Sequence, residues 1–392
     1  MTPTDDSHGD MEQQLREAIL TGQLVDQREG NTSVDAAAHG SQWGARRTVP
    51  AALLADLLTR GDGPAQPRAL RLAGARITGR LDLEAAHLAC PVLLWGCWFE
   101  EPVALTEATV PALRLPGCHL PALDAEQLTT RGNVELRHGF HARGEVNLGG
   151  AHIGGSLILD GATLNNPDGR ALYADRLTVD QAMLCQEGFS VHGAVHLEGA
   201  HIGGSLRLKG ATLSNPGGYA LFARRLTVDQ NMACQGFSVH GEADLDGARI
   251  GGGLLFEQAT FTNPGGAALI LAELRAEALL LRELAQPPDK VVLVGTQVAA
   301  LVDDPSGWPR TTCQRSPMTA CSSAPRSAPA SGWTGLVAIP AATARNPTSS
   351  WPASTAAPAA TRTPARSRSP SNAPAAAPSP SPSGYGVCSW MA

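Results

Sequence analysis

From Leu83 onward, apolar residues recur at every fifth position: Leu83, Leu88, Leu93, Trp98, Val103, Ala108, Leu113, Cys118, Leu123 and Leu128. A period of five matches neither the 3.6 of a helix nor the 2 of a flat strand. It fits a chain that turns a corner every five residues. A second pattern agrees with this. Alanine stands two residues before an apolar centre at Ala75–Ile77, Ala86–Leu88, Ala151–Ile153, Ala162–Leu164, Ala200–Ile202, Ala211–Leu213, Ala248–Ile250 and Ala259–Phe261. Positions two apart on extended backbone point to the same side. A large and a small side chain pointing inward together predict a narrow interior with the backbone close by.

A longer repeat is superimposed on the short one. GAHIGGSLILDGATL begins at Gly150, GAHIGGSLRLKGATL at Gly199 and the looser GARIGGGLLFEQATF at Gly247. Each copy also carries an N-P-x-G run, at Asn166–Gly169, Asn215–Gly218 and Asn263–Gly266. Proline fixes φ and glycine tolerates positive φ, so each run predicts a turn that bulges from the stack. Repetition at this scale marks units that bury their apolar faces only against neighbouring copies.

The pentads of 83–128 resemble those of pentapeptide-repeat proteins, and the resemblance extends over roughly Leu70 to Leu284. It implies an all-β right-handed quadrilateral β-helix, with the central apolar residue of each pentad inside. Four faces of five give a coil of about 20 residues. Leu83 would then lie under Val103 and Leu123, Leu88 under Ala108 and Leu128, and Trp98 under Cys118. The long repeat becomes two coils plus eight or nine extra residues, so the three bulges should form one ridge. The V-x-L-x-G-A-x-I-G-G-x-L opening also resembles actinobacterial proteins labelled membrane-associated oxidoreductases. That resemblance implies a redox enzyme, but no catalytic motif here accompanies the label.

The ends of such a stack need covers, because raw strand edges pair with other chains. A helix over Met11–Thr21 is expected to precede the first coil. A second is expected to be capped by Thr48, with Pro50 in its first turn, and to run through Ala51–Leu58 to Gly61. At the other end, Ala267–Leu284 is rich in helix formers. Leu269, Leu274, Leu279 and Leu284 nevertheless keep the five-spacing, and this segment reads as coil.

Composition narrows the function classes. Aromatic residues make up 4% and charged residues 17% of the 392 residues, and the formal charge is −6. Seven arginines and no acids follow Asp304, so the chain up to that point carries −13. An acidic body releases no counterions from a phosphate backbone, which argues against nucleic-acid binding. It leaves open a basic partner. The resemblance to pentapeptide-repeat proteins, some of which are acidic rods that mimic DNA and occupy topoisomerases, implies a topoisomerase as one such partner. The N-terminal segment is polar and acidic without an apolar h-region, and no run of 18 apolar residues occurs. The eight cysteines have no C-x-x-C spacing and read as free thiols. The expected location is cytoplasmic, with membrane association confined to intact relatives.

Candidate chemistry resolves into repeat echoes. His152 and His201 are equivalents, as are His192 and His240, and Arg249 replaces the histidine in the third copy. Two coils separate the first pair by about 10 Å, too far to share one ion. Cys185 and Cys234 are equally distant equivalents, which argues against a disulfide or a shared metal. Cys118 holds an inward position as a small hydrophobe. The glycine string Gly247–Gly253 lacks the following helix of a dinucleotide fingerprint and reads as a corner. No catalytic, cofactor-binding or metal-binding residue is assigned, no cofactor is expected, and enzymatic activity stays undecided.

Beyond about Thr311 the pattern stops and Ala, Pro, Ser, Thr and Arg take over. Such composition buries too little to offset ordering. It is either a true disordered tail or a GC-rich gene read in a shifted frame, which would have removed C-terminal membrane segments. The reading divides the chain into an N-terminal region of capping helices over 1–66, a solenoid over 67–302 and a disordered tail over 303–392. The function it favours is a non-catalytic scaffold for an unidentified protein partner, with end-to-end association of copies left open. The soluble part of an oxidoreductase-labelled protein is the alternative.

Overall fold

The computed structural model describes residues 4–59, 66–304 and 319–320. Strand follows strand in parallel register, each pairing with the strand one turn later, to build a solenoid of about ten turns. The turn starting at Leu113 displays the unit. Leu113–Arg114, His119–Leu120, Leu123–Asp124 and Thr129–Thr130 are four two-residue strands, after which Val134–Glu135 pairs with the first. The coil therefore has four faces, numbered here from the one that holds Leu113.

Corners explain the unit. The turn from the third to the fourth face holds one residue in the left-handed region in turn after turn: Glu107 (φ 56°), Gln127 (54°), Gly150 (63°), Arg176 (56°), Gly199 (63°) and Arg225 (55°). The first glycine of each long-repeat copy occupies this corner. Its role is shared by long polar side chains elsewhere, so the corner tolerates the strain of a non-glycine residue.

The expected inward positions fill the interior. Ala151, Ile153, Ala162, Leu164, Ala200 and Ile202 are all buried to within 1% exposure. The long repeat spans two coils, because Ile153 pairs with Val179 and Val179 with Ile202. The coil length, however, is not a uniform 20. That spacing occurs at Val103–Leu123 and Thr109–Thr129. Later coils are longer and unequal: Val134 pairs with Leu157, and Leu157 in turn with Met183. Extra corner residues thus shift three expected stacks. Leu81, not Leu83, lies under Val103; His87 meets Thr109, which puts Leu88 beside Val110; and Trp98 lies under His119. Leu93 and Trp98 are only half-buried, and Val92, Leu94 and Phe99 occupy the interior instead.

The N-terminal region closes the first turn. Helix α1 (Thr4–Thr21) buries Leu15, Ala18 and Ile19, and helix α2 (Ala51–Thr59) buries Leu54, Leu57 and Leu58. Both join the apolar cluster that includes Leu72, Ile77 and Leu81. Gly61, the expected end of α2, lies outside the described residues. Thr48 is not a helix cap. Thr48–Pro50 is a strand paired with Arg76–Thr78, and the Thr48 hydroxyl donates to the Gly44 carbonyl at 3.1 Å. Leu24–Asp26 likewise pairs with Arg71–Ala73. The region therefore contributes two strands as well as two helices. Arg47, 5% exposed, pins it down: its guanidinium donates to Asp35 (2.9 Å) and to the Gly74 carbonyl (2.7 Å), and lies over the Trp43 ring.

At the far end, Leu269–Ile270 and Arg275–Arg282 are strands, so the repeat overrides helix propensity there. Thr319–Ala320 pairs with Gln297–Val298. The remainder of the expected tail, 305–318 and 321–392, lies outside the described residues. Among the described residues, no helix is long and apolar enough to cross a membrane.

Candidate functional site

The three N-P-x-G runs all fall between the second and third faces, in alternate coils. Each asparagine closes its own bulge. The side-chain amide donates to the carbonyl four residues on: Asn166 to Arg170 (2.8 Å), Asn215 to Tyr219 (2.9 Å) and Asn263 to Ala267 (2.7 Å). The intervening coil makes room for the bulge with V-H-G. Gly193 has φ 122°, and a β-carbon there would stand 2.2 Å from the Asn166 carbonyl oxygen. Gly241 repeats this, with φ 127° and 2.4 Å to the Asn215 oxygen. The pairing of N-P-x-G with V-H-G went unrecognised in the sequence, although Val191-His192-Gly193 and Val239-His240-Gly241 recur in step with it.

An aromatic and arginine patch adjoins this ridge on the third face. Tyr173, His196 and Phe222 are outward neighbours in register on successive coils. Their ring centroids are 6.2 and 5.1 Å apart. Tyr219, carried on the second bulge and 39% exposed, sets its ring edge against Phe222 at 5.1 Å. Arg170 lies over Tyr173 at 4.0 Å and reaches Glu145 with two hydrogen bonds of 3.2 Å. Arg224 lies over Phe222 and donates to Asp244 at 2.7 Å, which satisfies a fully buried carboxylate. Burial pushes the His196 pKa below its ordinary value, so the ring is neutral within the stack.

The other singled-out residues are dispersed. His152 and His201 are exposed on the fourth face, each bonded through Nε2 to an aspartate of the next coil, Asp180 or Asp229, at 3.0 Å. His192 faces outward beside Asn165 and Ser214, and His240 meets the Thr262 hydroxyl at 2.8 Å. Cys185 and Cys234 are fully buried, two coils apart, and burial raises both thiol pKa values. Cys118 lies within the core beside Cys97 and is likewise raised by burial. Gly251 continues a strand, and a β-carbon there would meet the Asp229 carbonyl oxygen at 2.1 Å. The glycine string thus serves close packing of backbone at the corner after the fourth face. Among the described residues, no group of three His, Cys, Asp or Glu side chains could hold a metal ion.

His119 and His141, in register on the second face with rings 5.1 Å apart, carry the clearest pH dependence. Burial, then the charges of His141 and Arg143, lowers the His119 pKa from 6.5 to about 4. Between those values the unfolded chain binds a proton that the folded ring does not, so stability falls as pH falls through that window. His119→Gln should flatten this dependence. Urea unfolding at pH 7 and pH 5 checks it: wild type should lose more stability than the variant across that interval.

Comparison of the chain with protein-family models, curated proteins and solved structures finds no match.

Proposed function

We propose that the solenoid is a non-catalytic scaffold that binds a protein partner through the ridge and the patch beside it. The observation that carries this reading is the surface joining Tyr219, Tyr173 and Phe222 to Arg170 and Arg224. Aromatic and arginine side chains dominate the energetics of protein interfaces. Here they stand on a backbone held by ladders on both sides, so little ordering entropy is lost on binding. The ridge supplies relief that a partner can clasp, and its Asn-closed bulges keep one conformation.

Tyr219→Ala tests the reading. The ring is partly exposed, so the fold should keep its thermal midpoint within a few degrees. Loss of a central anchor typically costs ~2 kcal/mol, about a thirtyfold loss of affinity. Affinity capture from the native cell, followed by titration of the captured protein, should show that loss. A partner that binds Tyr219→Ala and Arg170→Ala as tightly as wild type would remove the patch from the interface.

A further inference from the structure

The fourth face repeats a clamp that is closed twice and open once. In the first two copies a histidine reaches an aspartate of the next coil, His152 to Asp180 and His201 to Asp229. The third copy puts Arg249 at the histidine position and Glu277 at the aspartate position. No hydrogen bond or ion pair joins these two among the described residues, and Arg249 is exposed.

The next coil adds a second arginine. Arg275 stands in direct register with Arg249, one strand spacing away, and is exposed and equally without a partner among the described residues. Thr227 precedes this pair in register and Gln297 follows it. Four hydrogen-bond donors thus form one column about 14 Å long. The parallel column two residues on holds Asp229, Gly251, Glu277 and Ala299, and its small members leave space. The result is an open groove of about 950 Å³ floored by Val228, Ile250, Ala276 and Val298. Of its two acids, Asp229 is already engaged by His201, and Glu277 faces the space beside Arg275.

We infer that this groove binds a small hydroxylated oxyanion, a phosphate- or carboxylate-bearing ligand. Two guanidinium forks one spacing apart repel each other unless an anion lies between them. Their planar donor geometry suits the oxygen pairs of phosphate and carboxylate. Glu277 can accept only from a donor, so the remainder of the ligand should present hydroxyl groups to it, with Gln297 beyond. A bare anion meets the arginines alone; a hydroxylated one meets both columns.

Thermal unfolding of the full chain tests the site. Inorganic phosphate, glucose 6-phosphate, gluconate and sodium chloride are compared at one ionic strength. Wild type should unfold at a higher temperature in at least one of the oxyanions than in chloride, with the hydroxylated probe acting at a lower concentration than phosphate. The phosphate and gluconate arms separate the two anion classes. Arg249→Gln and Arg275→Gln should each weaken the response at least tenfold, while the midpoint in chloride stays level or rises slightly because one of two repelling charges is gone. Arg275→Lys, which retains charge but not the fork, should weaken it less than Arg275→Gln. Equal midpoints in every salt would overturn the proposal, as would a response that persists in the Arg249→Gln, Arg275→Gln double variant.

Discussion

Ile202→Asp should collapse the central coils, whereas His201→Asp should leave them folded. The two residues are neighbours on one strand of the fourth face, and their environments are opposite. Ile202 is fully buried between Val179 and Val228 of the adjoining coils. An aspartate there loses the apolar contacts and buries a carboxylate without a partner, at a cost of several kcal/mol. His201 projects into solvent and bonds Asp229. An aspartate in its place exchanges that bond for repulsion between exposed carboxylates, about 0.5–1 kcal/mol. Since each coil is stabilised by its neighbours, damage at Ile202 spreads along the stack. Circular dichroism melts of the two variants check this; similar midpoints would be incompatible with the inward register of the fourth face.

That register was legible in the sequence because inward and outward positions alternate on extended backbone, and alanine marks where the interior narrows. The two-coil period was legible because GAHIGGSL recurs with its whole surroundings. Coil length was not. A uniform count assumes that every corner takes the same number of residues, yet the step from Leu157 to its neighbour Met183 is longer than the step from Val103 to Leu123. Thr48 was misread for a different reason. Its helix-cap chemistry is local, whereas its partner in the strand ladder, Arg76, lies beyond α2 in the chain. The aromatic patch escaped notice because Tyr173, His196 and Phe222 share no residue type and become neighbours only after the register is known. Conversely, the equivalence of His152 and His201 was plain in the sequence, but their aspartate partners required the third dimension.

Deleting Gly150 to Glu198 should leave a folded solenoid two coils shorter, whereas deleting only Gln181 to Ser190 should not. The large deletion joins Gly149 to Gly199, and Gly199 takes the left-handed corner that Gly150 held. Thr129, which pairs with His152, would then meet His201; Val134, which pairs with Leu157, would meet Leu206. The Asn166 bulge leaves together with Gly193, the glycine that accommodates it, and the Asn215 bulge keeps Gly241. The new junction pairs repeat equivalents of the native partners, although Glu145 exchanges Arg170 for Tyr219, so the loss is limited to that exposed ion pair and the burial within two coils. The small deletion removes the Met183–Leu184 strand and the start of Ser190–His196 while leaving their partners in place. Leu157 loses its cover Met183 and Thr163 loses its partner Ser190, and the chain reaches Val191 and Val195 too short to complete the turn. Far-ultraviolet circular dichroism and urea unfolding of both products measure the difference. The longer deletion should retain the β signal in proportion to its length and a single cooperative transition. The shorter should lose several kcal/mol or fail to fold, because it opens a cavity and strands backbone donors in the core. Two products of equal stability would mean that the coils do not stack in the register described.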